Sequence, residues 1–191
     1  MKFTRIPETA FEKLQLNAGI LLSEFDPSTM TVNEAALLGA TSGGVNFTAT
    51  PTYSDYGEDI DNAPVNVLEL KRLDNWQVKM SGRFITVDVA TAVRLVGAAD
   101  FSGNKVTPRN DLKASDFADL WWVGDYSDKN NETDGGFVAI HMLNALSTGG
   151  FSIQSNNRGK GQFAFEFTGH YSIEDQNVVP FEVYVQAGGE A

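Results

Sequence analysis

The feature that most constrains the fold of this chain is an alternating run at positions 161–172. Phenylalanine, glycine and tyrosine fill positions 163, 165, 167, 169 and 171, whereas polar or small residues fill the positions between them. A period of two over this length is typical of a long strand with one buried face. Residues 179–186 alternate in the same sense after a polar turn at 174–177. We therefore expect the two segments to pair as an antiparallel hairpin whose apolar face needs a packing partner.

Length and charge limit the classes of protein to which this chain can belong. Its 191 residues, 42% of them hydrophobic, predict one domain over 1–191 with enough apolar material for a core. The formal net charge of −11, from 14 basic and 25 acidic residues, argues against a nucleic-acid grip, which needs clustered cations. The absence of cysteine excludes disulfides and suits assembly in a reducing cytoplasm. Residues 1–8 lack an apolar signal core and 35–54 are rich in Gly, Thr and Ser, so no membrane insertion is expected.

Periodicity and turn residues predict mainly β structure with one helix. After an N-terminal arm at 1–15, strands are expected, in chain order, at 18–25, 45–52, 67–70, 76–86, 120–126, 137–146 and 151–154. Residues 73–75 should form a hairpin corner before the strand at 76–86. The segment 88–97 is predicted to be a helix because its apolar residues recur at helical spacing between Asp88 and Gly97. The expected fold class is a β-sandwich or barrel of antiparallel strands with one flanking α-helix.

Two segments break this periodicity. Residues 53–66 contain four carboxylates and no basic residue, which predicts an exposed acidic extended loop. Residues 101–116 contain Pro108 and several polar side chains, and we interpret them as a long connection.

Few residues are arranged as catalytic or metal-binding groups usually are. His141 and His170 lie on separate predicted strands without the spacing of a zinc motif, so a structural role is expected for each. The carboxylates of 53–66 could be read as calcium ligands or as glycosidase acids, but the regular frame of an EF-hand loop is absent. The paired glycines lack the spacing of a phosphate-binding loop, so no cofactor is predicted. The sequence predicts no enzyme and no catalytic or metal site.

Trp121 and Trp122 are adjacent on a predicted strand and so face opposite ways. At most one of them can lie in a simple core. We expect the other to pack on the helix or at a subunit contact, the alternative being an exposed platform on which a sugar stacks.

Taken together, segments spread over nearly the whole chain are similar to the major tail protein, or tail tube protein, of long-tailed, non-contractile bacteriophages and prophages of Gram-positive hosts. The similarity rests on the number and order of these segments rather than on any one motif. They are residues 16–22, 26–27, 39–45, 70–74, 95–100, 107–112, 121–128, 144–151 and 163–171.

The resemblance implies a β-sandwich with one flanking helix, six copies of which form a ring whose sheets join into an inner barrel. Rings would stack around a tape-measure protein to build the tube through which the genome passes, with a tail terminator and a distal tail or baseplate protein at its ends. It implies a place in the virion tail, assembled in the cytoplasm of the bacterial host. A ring of six would carry a formal charge of six times −11, that is −66, and a like-charged lumen would let DNA slide without specific binding.

Two sets of residues are the candidate contacts of such a tube. A head-to-tail stack needs two different surfaces on each subunit, and the irregular segments are available for them. The candidate contacts between rings are the acidic Asp55, Glu58, Asp59 and Asp61 and the basic Lys71, Arg72, Arg158 and Lys160. The candidate lumen residues lie on small polar strand faces and are Asn46, Thr48, Thr50, Gln77 and Ser81.

Other functions remain open at this point. A carbohydrate-binding or receptor-binding β-sandwich would also have surface aromatic residues. A tail component that stops at a single ring, such as a tail terminator or a distal tail protein, is a second alternative. An enzyme is the third.

Overall fold

The structure is a computed structural model that describes residues 6–7, 10, 13–126 and 135–187. It is mainly β, with antiparallel sheets and one α-helix within these residues, which confirms the predicted fold class. The strands are β1 (Gln15–Leu22), β2 (Thr41–Asp55), β3 (Lys71–Phe84), β4 (Ala99–Ser102), β5 (Lys105–Pro108), β6 (Ala118–Tyr126), β7 (Gly136–Ser147), β8 (Ser152–Gln154), β9 (Gln162–Gly169) and β10 (Phe181–Gln186), and the helix is α1 (Val89–Val96). Most of the N-terminal arm expected at 1–15 and residues 127–134 lie outside the described residues.

Strand β7 joins the two halves of the sandwich. Its residues 137–142 pair with β6 on one side and with β10 on the other, and β6 continues to β1. Farther along β7, Leu146 and Ser147 pair with β9, which continues to β3 and β2. The two halves face each other across a shared core, listed here by its buried members: Leu21, Val78, Met80, Phe84, Leu95, Leu120, Met142, Ala145, Phe165 and Phe167.

The alternation in β9 is confirmed, but the predicted hairpin between residues 161–172 and 179–186 is wrong. Phe165, Phe167 and Gly169 are buried, whereas Ala164 is exposed and Glu166 is half-buried. Strand β10 pairs with β7, with Phe181 opposite Met142. Residues 170–180 carry the chain from one half of the sandwich to the other, because His170 N–H donates to Leu143 O and Leu143 N–H donates to Pro180 O. A period of two identifies a strand but not its neighbour.

Strands β2 and β3 form one long hairpin. The prediction of separate strands at 45–52, 67–70 and 76–86, with a corner at 73–75, is wrong for this region. The ladder runs from Thr41 opposite Phe84 to Asp55 opposite Lys71, so residues 73–75 lie within β3 and make no corner. Residues 67–70 are not a strand, since Leu68–Leu70 is a single 3-10 turn. Strand β9 pairs with β3 only from Val78 to Phe84, and Trp76 packs against Phe181. The rest of the hairpin, residues 52–75, therefore extends beyond the β9 ladder. We call these residues the arm, which is distinct from the N-terminal arm expected at 1–15.

The predicted helix is confirmed at Val89–Val96. The side chain of Asp88 accepts a hydrogen bond from Thr91 N–H at 2.7 Å, and Gly97 caps the other end with φ of 86°. Leu95 is buried in the shared core, and Ser147 Oγ donates to Leu95 O, which fixes α1 against β7. The hydrogen bond from Thr91 N–H holds the pKa of Asp88 below its ordinary value.

The long connection predicted at 101–116 has regular structure. Strands β4 and β5 form a short hairpin in which Phe101 lies opposite Val106. Residues 114–116 form a 3-10 turn, and Asp116 accepts a hydrogen bond from Lys113 N–H. Arg109 pairs with Asp116 and with Asp100, its Nε lying 3.0 Å from Asp100 Oδ1. The sequence missed this hairpin because its strands are only four residues long and lie mostly exposed.

Candidate functional site

The five candidate lumen residues lie together on one face of the β2–β3 ladder. Asn46 is opposite Ser81 and Thr50 is opposite Gln77, with Thr48 between them opposite Lys79. Asn46, Thr48, Thr50 and Gln77 are exposed and Ser81 is half-buried. Their neighbours on the same strands, such as Val78 and Met80, point into the shared core, so the face is polar and its back is apolar.

This polar face is close to neutral, although the chain as a whole is acidic. Lys79 Nζ lies 3.0 Å from Glu166 Oε1, and that hydrogen bond holds the pKa of Glu166 below its usual range. Arg83 Nη1 donates to Gln162 Oε1 at 3.4 Å. The acidic charge that the resemblance suggested for a lumen is therefore not concentrated on this face.

The acidic residues of the candidate inter-ring set lie at the tip of the arm but do not act alike. Glu58, Asp59 and Asp61 are exposed, and none of them forms an ion pair with another described residue. Asp55 is half-buried and accepts hydrogen bonds from Gly57 N–H at 2.9 Å and Asn66 N–H at 3.0 Å. Asp55 thus orders the loop of its own chain, whereas the other three carboxylates face solvent.

The four basic candidates are divided between the two ends of the β3–β9 ladder. Lys71 and Arg72 belong to the arm itself, and Lys71 Nζ donates to Asn66 Oδ1 at 2.8 Å. Arg158 and Lys160 are exposed in the turn between β8 and β9. Because β9 begins opposite Phe84, that turn is at the end of β3 away from the arm. The structure therefore separates the acidic tip from the basic turn by most of the length of β3, about 40 Å at 3.3 Å per residue.

The arm also has exposed apolar side chains that sequence reasoning missed. Leu68 is 83% exposed and Val65 is 70% exposed, and the full set is Tyr53, Tyr56, Ile60, Val65, Leu68 and Leu73. These residues lie outside any alternating pattern, so periodicity gave no signal for them. Their concentration on one projecting hairpin, between acidic residues, is typical of a contact surface rather than of a solvated loop.

Neither tryptophan offers a sugar-stacking platform. Trp121 is 7% exposed and packs edge-on against Phe25, from the segment after β1. Trp122 packs against the shared core, and its Nε1 donates to Ala18 O at 3.0 Å. From the sequence we expect one of the two tryptophans to pack on the helix or at a subunit contact. That expectation is wrong for Trp121, which is covered by Phe25 and His141 of its own chain.

His141, on β7, contacts side chains of the two neighbouring strands, β6 and β10. Its ring is stacked on the indole with centroids 3.9 Å apart and an interplanar angle of 7°. Its Nε2 lies 3.0 Å from Asp119 Oδ2 on β6, and its Nδ1 lies 3.5 Å from Glu182 Oε2 on β10. Tyr184 O–H donates to the same Glu182 oxygen, which raises the pKa of Tyr184. With one ring face covered and both nitrogens facing carboxylates, His141 has the surroundings of a structural histidine.

His170 is also held by its surroundings. Its Nδ1 lies 3.1 Å from Asn144 O, and Phe117 packs edge-on against its ring.

Among the described residues, no group of three or more His, Cys, Asp or Glu side chains is placed to hold a metal ion. No helix in the described ranges is long and apolar enough to cross a membrane.

No protein-family model matches this chain, and no curated protein matches it. Three surfaces of the molecule are the candidates for function. These are the polar face of β2 and β3, the acidic and apolar arm, and the basic turn at the opposite end of the ladder.

Proposed function

We propose that this chain is a structural subunit that forms stacked hexameric rings, the major tail protein of a long-tailed, non-contractile phage or prophage. The single observation that carries the proposal is the polarity of the subunit. An arm with exposed apolar and acidic side chains projects at one end of β3, and a turn with Arg158 and Lys160 lies at the other end. Two different surfaces at opposite ends of a subunit are what a head-to-tail assembly requires.

The free edges of the sheets support ring formation. In the described chain, β2 pairs only with β3 and β10 pairs only with β7, so the outer edge of each is open. An exposed strand edge is a template for pairing with another chain, and closure into a ring removes it. Strand β2 is 15 residues long and has the polar residues Asn46, Thr48 and Thr50 on one face, which suits a wall in contact with water on that side.

The partners of this proposed subunit are other copies of itself and proteins of the same particle. A tape-measure protein would occupy the tube during assembly, and a tail terminator and a distal tail protein would close its ends. DNA would pass along the polar face without tight binding, because the face has few cations available for phosphates. The proposed location is the virion tail, with assembly in the cytoplasm of the bacterial host.

Electron microscopy of the concentrated, purified protein tests the proposal. We expect negatively stained tubes of uniform diameter with a regular axial repeat, either spontaneously or after addition of the tape-measure protein. A protein that stays monomeric under both conditions, while binding a glycan tightly, would be a carbohydrate-binding module instead. A protein that forms rings and never stacks would be a single-ring tail component.

A further inference from the structure

A groove of about 680 Å³ lies between α1, the β4–β5 hairpin and residues 113–118. Its apolar lining includes Val89, Val93, Ala99 and Phe101, and Phe101 is 67% exposed. This volume is within the range of sites that hold a ligand or several side chains of a partner. The groove is separate from the polar face of β2 and β3 and from the turn that contains Arg158 and Lys160.

Arg94 is the cation in this groove that has no carboxylate partner within the described chain. The groove's other cations, Arg109 and Lys113, are both paired with Asp100, and Arg109 also with Asp116. Arg94 is half-buried, and the hydrogen bond that its Nη1 donates to the carbonyl oxygen of Asp119 is long, at 3.5 Å. Burial lowers the pKa of Arg94. A partly desolvated charge of this kind is stabilised when an anion enters beside it.

The tip of the arm has the complementary chemistry. Ile60 is 48% exposed and stands between Asp59 and Asp61, neither of which forms an ion pair in the described part of the chain. An apolar side chain flanked by carboxylates fits a groove with apolar walls and one uncompensated cation.

The arm of the same copy does not reach this groove. The groove includes the first turn of α1, where Thr91 Oγ1 donates to Leu38 O. That turn lies near the Phe84 end of β3, because Ala40 N–H donates to Thr86 Oγ1. The arm begins at the other end of the same strand, so an arm that enters the groove must come from another copy.

We propose that the groove beside α1 receives residues 57–61 of a second copy, with Ile60 against the apolar wall and the flanking carboxylates at Arg94. The proposal rests on the proposed function, since it gives the projecting arm a specific receiving site. It adds Arg94 to the basic residues expected from the sequence as partners of the arm.

A disulfide between copies tests the contact, because the native chain has no cysteine. Ile60→Cys and Val93→Cys are made in separate preparations, which are mixed, assembled and oxidised. We expect a crosslinked dimer that forms only in the mixture. The matched control replaces Val93→Cys by Ile173→Cys, another exposed apolar position. It should give little dimer, because Ile173 follows the end of β9 that lies nearest the arm of its own copy.

Charge removal gives an independent measure. Arg94→Gln should raise the critical concentration for assembly about tenfold or more, whereas Lys105→Gln, which removes an exposed cation from β5, should leave it nearly unchanged. Circular dichroism checks that both variants are folded.

The outcomes separate the two proposals. If wild-type tubes form but the Ile60–Val93 crosslink is absent and Arg94→Gln assembles normally, the groove contact is wrong and the tube remains. If the wild-type chain forms no assembly of any kind, both proposals are wrong. A crosslink without an effect of Arg94→Gln would overturn the role of Arg94 and keep the contact.

Discussion

Gly82 shows how a single residue of β3 depends on tight packing between strands. It lies two residues from the buried side chains of Met80 and of Phe84 on the same strand, where alternation would place another apolar side chain. A Cβ atom at this position would lie 2.7 Å from Cζ of Phe165 and 3.1 Å from the carbonyl oxygen of Gly44. The aromatic ring of Phe165, which is 3% exposed, occupies the volume that a side chain would take. Periodicity alone does not explain a glycine at this position, because the reason is its close contact with Phe165 of β9 and Gly44 of β2.

We expect Gly82→Ala to destabilise the protein by about 1–3 kcal/mol, since Phe165 or the β2 backbone must move to accommodate the methyl group. Urea unfolding followed by circular dichroism measures the change. The control is Gly161→Ala, where no atom lies within 4 Å of the added Cβ. Equal stability of the two variants would show that the β2–β3–β9 ladder is less tightly packed than the structure indicates.

Asp88 is a residue whose role could be predicted from the sequence in full. It precedes the helical run, and in the structure its side chain accepts the hydrogen bond from Thr91 N–H. Helix capping is a local interaction, so a sequence of a few residues is enough to identify it. The contacts of His141 are different, since Asp119 and Glu182 come from two other strands and no spacing in the sequence relates them.

We expect Asp88→Ala to lower the free energy of unfolding by about 0.5–2 kcal/mol at neutral pH, because the helix loses its cap. The folded-state pKa of Asp88 lies below the ordinary value of 3.8, so its charge stabilises the protein above that value. This contribution is lost as the pH falls through the lowered folded-state pKa. Asp88→Asn keeps a hydrogen-bond acceptor and removes the titration, so the advantage of wild type over Asp88→Asn should disappear in acid. An advantage that is independent of pH would contradict this account.

At the scale of elements, the sequence identified strands better than their partners. The bounds of α1 and the alternation in β9 follow from local patterns, and both are confirmed. The partner of β10 could not be predicted, since residues 170–180 can either turn back or cross to the other half of the sandwich. The sequence predicts a corner at residues 73–75 because Asp74 and Asn75 are typical turn residues. In the structure both residues lie in β3, and both are exposed.

The arm gives the prediction at this scale. We expect the combined variant Glu58→Gln, Asp59→Asn and Asp61→Asn to fold normally and to impair stacking, because these carboxylates are exposed and unpaired within the described chain. Exposed ion pairs contribute only about 0.2–1 kcal/mol each, so three of them should shorten tubes rather than abolish them. Tube lengths are measured by electron microscopy, and melting curves check the fold.

Asp55→Asn is the contrasting variant. Because Asp55 accepts hydrogen bonds from Gly57 and Asn66 N–H, its substitution should affect the order of the loop before it affects charge between copies. Tubes of unchanged length in the triple variant would exclude these carboxylates from the stacking contact.

At the scale of the whole molecule, charge is distributed unevenly. The arm contains six acidic and two basic residues, whereas the polar face of β2, β3 and β9 is nearly neutral. If that face lines the tube, the wall is hydrophilic without a strong field, and DNA would slide because the wall offers few cations rather than because it repels. The net charge of −11 could be read from the sequence, but its location required the register of three strands.

Cysteine labelling tests which face lines the tube. A thiol introduced by Thr48→Cys is unique in the chain and lies in the middle of the polar face. We expect a bulky maleimide to label it quickly in monomers and at least tenfold more slowly in tubes, because the reagent must enter through the tube ends. Gln176→Cys, in the exposed connection before β10, is the matched control and should label at similar rates in both states. If Thr48→Cys labels as fast as Gln176→Cys in intact tubes, the polar face is on the outside, and the lumen must be lined by a different surface of the sandwich.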